Sequence, residues 1–192
     1  MSELVRCLSN RVLQQKPLSG RARNRRVCFV FFLLLSVLNL TVMFMAYYPG
    51  VLSYDSIHQL WEILTGKIQN DHYPYFYTQL IGLLFRCGLH AFGTRNEAIA
   101  CCSVFQILVM ASVFAYVLST MYEAGVPWTA LILSLIWYLL MPYHIFFSFT
   151  MWKDGLYAGA GALMLTAVYR ILTGNRSARR DGFLLALGML GM

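Results

Sequence analysis

The sequence predicts an all-α fold, a multi-pass transmembrane helix bundle whose external first loop carries interfacial amphipathic helices. Three observations predict it. Of the 192 residues, 59% are hydrophobic and 12% charged, against about 25% charged in soluble domains, so the bilayer is the solvent that suits this chain. Apolar runs of about 20 residues recur along it, each long enough to cross the hydrocarbon. The positive charge is gathered beside those runs: the net charge is +7, with seven of the 15 Lys and Arg inside residues 6–26 and four inside 170–180. Positive charge flanking apolar spans follows the positive-inside bias and leaves no call for a nucleic-acid partner.

Residues 1–26 are basic and lack apolar periodicity, which predicts a cytoplasmic tail. The run from Val27 to Tyr48 follows. It is longer than the core of a secretory signal and is expected to be a first span, about 27–48, with the N-terminus held in the cytoplasm. The external loop is then 49–96. Within it Pro49-Gly50 ends the span, and Ser53 precedes Ile57, Leu60, Trp61 and Leu64, which recur as one face of a helix. Asp55, His58, Gln59 and Glu62 occupy the other face. Such a helix is expected to lie on the bilayer with its acids toward water.

The segment 73–92 is apolar but carries several aromatics and Arg86. Counting back from a cytoplasmic basic loop at 170–180 starts and ends this segment on one side, which predicts an interfacial or re-entrant helix. Further spans are expected at about 97–120, 127–149 and 156–172. An incomplete span at 183–192 predicts the N-terminal part of a longer protein. The odd set of cysteines, Cys7, Cys28, Cys87, Cys101 and Cys102, has no ligand-like spacing and reads as small buried hydrophobes. Gly155 and Gly159 give a G-x-x-x-G spacing suited to close helix packing rather than to phosphate.

Two of the four aspartates and two of the four histidines lie between Tyr48 and Pro74: Asp55, Asp71, His58 and His72. In this topology Asp55 and Asp154 are both extracytoplasmic and both near the membrane surface, where an ionisable group is costly enough to suggest function. Each is equally a first-turn acid stabilising its own helix by about 1 kcal/mol. Asp55 and His58 with Asp71 or His72 are a candidate set for a divalent cation, but without the spacing of a dedicated site, and no metal ligand is assigned. His144 is expected to bond within the bundle.

Four short stretches, Tyr48-Tyr-Pro-Gly50, Ser53-Tyr-Asp-Ser56, Asn70-Asp-His-Tyr-Pro74 and Trp152-Lys-Asp154, resemble the polytopic glycosyltransferases of the GT-C superfamily, in an uncharacterised bacterial branch. The resemblance covers about residues 27–172 and the N-terminal portion of such an enzyme. One departure is Tyr73, which separates His72 from Pro74 where the family tends to place His directly before Pro. The resemblance implies sugar transfer from a polyprenyl-phosphate donor, a lipid-linked sugar, to a glycan, lipid or protein acceptor on the outer face of the cell membrane. It implies catalytic roles for Asp55 as general base and for Asp154 in orienting acceptor or base, with Tyr54, His58, His72, Arg86 and Lys153 binding substrate. Lys153 and Arg86 would meet the donor phosphate, and Tyr54, Tyr73 and Trp152 would stack on sugar or line the lipid groove. The alternatives are a multi-pass transporter or channel-type protein and a catalytically inactive remnant.

Overall fold

The computed structural model describes residues 19–67, 75–173, 182–184 and 186. Among the described residues seven helices with assigned bounds follow in order: α1 Ser19–Ala46, α2 Tyr54–Thr65, α3 Tyr75–Phe92, α4 Arg95–Glu123, α5 Trp128–Leu140, α6 Pro142–Phe149 and α7 Lys153–Leu172. The only strand-like pairing among the described residues is an isolated parallel bridge from Val51 to Thr150. The protein is an all-α membrane helix bundle. Asn24–Ala46, Arg95–Glu123 and Lys153–Leu172 are each long and apolar enough to cross a bilayer, and α5 with α6 passes the same test together as a bent pair, a broken span or a re-entrant loop. The incomplete span at 183–192 lies mostly outside the described residues.

Two boundaries differ from the sequence reading. Helix α1 begins at Ser19, inside the stretch read as tail, because arginine and alanine are good helix formers and no proline interrupts the run from Ser19 to Val27. The span read as continuous over 127–149 is broken, with a 57° bend between α5 and α6. Pro142 is the cause: it disfavours helical geometry in the residue before it, and Met141 sits extended at ψ 119°. Pro142 then opens α6, where its missing N–H costs nothing.

Helix α4 is the spine. Three apolar clusters are stacked along it: Ala98 and Cys102 pack with Leu60, Tyr77, Ile81, Phe85 and Met151; Ile107 and Ala111 with Leu40, Phe44, Ile145 and Phe149; Ala115, Leu118 and Tyr122 with Cys28, Phe32, Leu131 and Leu135. At one end of this stack Glu123 forms an ion pair with Arg25 at 3.3 Å and a shorter one with Arg170. Arg25 also donates to Thr120 and lies 5.0 Å from the ring centre of Tyr116. The starts of α1 and the ends of α4 and α7 therefore meet at this Arg25 end.

Toward the other end Ser103 donates to the carbonyl of Pro49 at 3.2 Å. From Ser103 to Glu123 a helix rises about 30 Å, one hydrocarbon thickness. The first two turns of α4 stand beyond that level and carry α3. A Cβ at Gly88 of α3 would come within 2.8 Å of Ala98 Cα, so the two helices are nearly in backbone contact there. With α2 packed on α3, these elements form a cap over the Asp55 end of the bundle.

A junction of two helix N-termini as candidate functional site

Asp55 is positioned by a capping box. Ser53 accepts from the Ser56 backbone N–H at 3.2 Å, and the Ser56 hydroxyl accepts from the Ser53 N–H at 3.1 Å. Both satisfy backbone donors that a helix start leaves unpaired. The Ser56 hydroxyl hydrogen is directed to the carbonyl of Met151. In the 2.7 Å contact between the two serine oxygens, Ser53 is therefore the donor. Met151 in turn donates its N–H to Val51 at 3.2 Å. The loop after α1 and the loop before α7 are thus stitched together by backbone and hydroxyl bonds.

Across this seam the indole N–H of Trp152 donates to the Asp55 carboxylate at 3.3 Å. The indole is itself held by stacking on Phe147, ring centres 5.0 Å apart at 22°. Trp152 is the residue preceding α7, which has no side-chain cap, and Asp154 lies in that helix's first turn. Asp55 occupies the first turn of α2. The structure therefore brings both acids to the same end of the bundle, each at a helix N-terminus, where the macrodipole favours a carboxylate. Asp154 is exposed and Asp55 half-buried.

The start of α7 is pressed against its neighbours. A Cβ at Gly155 would lie 2.8 Å from the Phe147 carbonyl oxygen and 2.9 Å from Gln106 Nε2, two atoms already bonded to one another at 2.7 Å. Only glycine fits. One turn on, Gly159 faces Met110 of α4, so the G-x-x-x-G spacing serves close packing as expected. Tyr77 approaches the same turn from α3. Burial first, then the charges of Cys102 and Asp154, hold its hydroxyl well above the ordinary phenol range. Its oxygen is buried without a hydrogen-bond partner, as are Gln59 Nε2 and Gln106 Oε1.

Residues 54–187 match a family of unknown function, DUF6020. The chain belongs to that family. Asp55, Trp152, Lys153 and Asp154 all lie within the matched region, so the junction is part of the DUF6020 unit, whereas α1 precedes it. No curated protein and no solved structure matches the chain.

The polar face of α2 in this DUF6020 chain is turned into the protein rather than toward water as expected. Ile57, Trp61 and Leu64 are exposed, at 56%, 40% and 55%, while Gln59 and Glu62 are buried. The expectation set the apolar face on the bilayer and the acids in water; only the second half fails, and the exposed apolar stripe still suits lipid surroundings. Where they are lipid, the apolar stripe turns outward and the polar stripe turns into the protein, toward the cap. Leu60 alone of the four apolar residues packs inside.

The remaining sequence candidates divide. Tyr54 is exposed and lies edge-on against His58, ring centres 4.4 Å apart, one turn from Asp55. Lys153 is half-buried beside Asp154. Arg86 is not brought to the junction: its guanidinium donates to the Ile63 carbonyl at 3.2 Å, in the last turns of α2, about 12 Å along the helix from Asp55. His72, Asp71 and Tyr73 lie outside the described residues. Among the described residues no three His, Cys, Asp or Glu side chains cluster as metal ligands. His144 sits among rings, 5.1 Å from Tyr138 and 5.6 Å from Phe114.

The sequence reading missed Ser53 and Ser56 as the cap and Gln59, Tyr77 and Gln106 as buried polar groups. The Ser-x-x-Ser spacing was a legible sign of the first pair. Nothing local announces the others, since a lone Gln or Tyr in an apolar helix has no periodic signature.

Proposed function

We propose that this chain is a membrane glycosyltransferase, or part of one, transferring a sugar from a polyprenyl-phosphate donor to an acceptor hydroxyl on the extracytoplasmic face of the cell membrane. The observation that carries the reading is the Trp152–Asp55 bond at the junction of two helix N-termini. It holds a carboxylate at the end of a hydrocarbon-length bundle, where a lipid phosphate and a polar acceptor can meet.

In this mechanism the acceptor oxygen attacks the anomeric carbon as the bond from that carbon to the phosphate oxygen breaks. Asp55 takes the acceptor proton, and the polyprenyl phosphate leaves with the bonding electrons. The indole N–H fixes the carboxylate on one oxygen and leaves the other to receive the proton. Lys153 and the uncapped N–H groups at the start of α7 suit the departing phosphate, since a helix N-terminus favours anions. Asp154, exposed in the same turn, orients the acceptor through its hydroxyls. Tyr54 and His58 offer a flat aromatic edge to a sugar ring. The roles first given to Arg86 and His72 have no support from the described residues.

The test is sugar transfer by the complete protein reconstituted with a polyprenyl-phosphate sugar. Asp55→Asn is expected to lower turnover by roughly a hundredfold to ten-thousandfold, the usual range for a lost general base. Transfer at the normal rate by both Asp55→Asn and Asp154→Asn removes the mechanism.

A second reading, a transporter or channel-type protein, draws on the bent α5–α6 pair, since discontinuous helices are a feature of transport sites. That break carries no acid and no permanent charge, only Tyr143 and His144 beside it, which favours the enzyme. Solute flux through vesicles without sugar transfer reverses the preference.

A further inference from the structure

Six buried side-chain nitrogen and oxygen atoms among the described residues have no hydrogen-bond partner, and four of them, on Gln59, Tyr77, Thr78 and Gln106, belong to the cap or to the turn of α4 beneath it. A buried polar atom left unpaired is costly, so each such atom calls for a partner. Tyr77 and Gln106 are the two that the packing brings to one place.

Their position follows from the pairing of α3 with α4. Gly88 of α3 meets Ala98 and Cys101 of α4, whereas the carbonyl of Ile81, earlier in α3, accepts from the Cys102 thiol at 3.8 Å, so the two helices run antiparallel. One turn back from Ile81 is Tyr77, and one turn on from Cys102 is Gln106, which sets the two residues on facing turns at one level. Tyr77, Cys102 and Met151 pack in a single cluster, and Gln106 lies against Gly155, so both residues stand beside the start of α7. Tyr77 is 6% exposed and Gln106 0%.

The chemistry of the pair is complementary. Gln106 Nε2 donates to the Phe147 carbonyl at 2.7 Å, which fixes the amide one way round, since a carbonyl oxygen cannot donate. Wedged at Gly155, the amide cannot turn, and its Oε1 is held as an acceptor without a donor. Tyr77 offers the reverse, an O–H that burial keeps protonated. The two are not bonded to each other. One water accepting from Tyr77 and donating to Gln106 satisfies both and keeps a second hydrogen for a further acceptor, within the about two to four partners a buried water takes. The Asp154 carboxylate is close enough for its charge to reach the Tyr77 hydroxyl.

We propose that Tyr77 and Gln106 hold one ordered water between them, and that through this water Tyr77 positions the first turn of α7, Asp154 included. The cap is thereby tied to the helix that carries the second acid of the junction. Both polar atoms are sealed from the surface, which selects water over a ligand hydroxyl. The positioning role rests on the sugar-transfer reading; the water does not.

X-ray hydroxyl-radical footprinting of the full chain in nanodiscs tests the water, because radicals born from a bound water label the side chain beside it however deeply that side chain is buried. Tyr77 is expected to be labelled several times faster than Phe85, a ring of the same cluster at 2% exposure, after allowance for the intrinsic reactivity of the two rings. Labelling at the Phe85 rate overturns the proposal, and so does fast labelling that persists in Gln106→Met, which lacks the acceptor. Kinetics tests the positioning. Tyr77→Phe keeps the ring and removes the donor, and is expected to lower turnover roughly fivefold to tenfold, the worth of one hydrogen bond, with KM for the donor little changed. Normal turnover overturns the positioning role. A labelled Tyr77 in a wild type that transfers no sugar sinks the sugar-transfer reading and leaves the water in place; an unlabelled Tyr77 in an active wild type does the reverse.

Discussion

Trp152 donates its indole N–H to Asp55 across 97 residues of sequence, at 3.3 Å, and stacks its ring on Phe147. Trp152→Phe keeps the stack and deletes the donor. A hydrogen bond to a charged group contributes about 1.5–3 kcal/mol, so turnover is expected to fall roughly tenfold to a hundredfold. KM for the donor is expected to change little, because the bond aims the carboxylate and does not hold the substrate. Steady-state kinetics on the reconstituted protein checks the split, and an unchanged turnover number removes Trp152 from the positioning of Asp55.

Gly155 and Gly159 lie on one face of α7 but differ in what surrounds them. Gly155→Ala drives a methyl against a carbonyl oxygen and an amide nitrogen that are bonded to each other, whereas Gly159→Ala meets the flexible thioether of Met110 at 3.1 Å. Overpacking against fixed backbone costs about 1–3 kcal/mol. Thermal melts in detergent should show Gly155→Ala lowered by several degrees and Gly159→Ala changed far less.

Glu123 balances Arg25 and Arg170 with one carboxylate, and both Glu123 and Arg170 are buried. Glu123→Gln leaves two cations facing each other without a counter-charge. The expected loss is about 3–5 kcal/mol, in the range for a buried pair broken from one side. Arg25→Gln leaves the Arg170 pair in place and should cost less. Denaturant unfolding of the three proteins gives the order.

Tyr77 is held protonated by its surroundings, its folded value lying above the ordinary 10.0. The native state therefore binds that proton more tightly than the unfolded chain. The contribution to stability is complete below pH 10 and is lost as the pH rises from there toward the folded value, at up to about 1.4 kcal/mol per pH unit. Wild type should show an alkaline fall in stability that is shallower in Tyr77→Phe, measured by melts between neutral pH and the alkaline limit.

The outward stripe of α2 should be shielded by lipid. In a chain with its native cysteines replaced, Ile57→Cys and Leu64→Cys are expected to react slowly with a membrane-impermeant thiol reagent in vesicles and quickly in detergent. Equal rates in both would put that face in water.

The spans were legible because their signal is length: the run from Val27 to Tyr48 has no charged residue, and Asn24–Ala46 is a helix long and apolar enough to cross. The place of α2 was legible too, from Ser53 and the spacing of Ile57, Leu60, Trp61 and Leu64. The burial of Gln59 and Glu62 was not, because periodicity separates two stripes without saying whether the polar one meets water or protein. Pro142 held the sign of the bend, yet the apolar run around it is unbroken and masks it. Of the junction, Asp55 and Asp154 stood out as acids at helix starts. The bond from Trp152, the wedge of Gln106 against Gly155 and the sharing of Glu123 by two arginines join residues 47 to 98 apart in sequence, and no local pattern encodes such distances.

The seam between Val51 and Thr150 bears on how the chain is built. Residues at the first turn-around leave the ribosome long before their partner exists, and non-local closure of that kind is slow. The cap helices α2 and α3 must therefore wait, tethered but unlatched, while α4, α5 and α6 are threaded into the bilayer. Chains halted before Thr150 would carry Asp55 on a helix with nothing to fasten it, and the junction would come into being only when the last of these segments arrives.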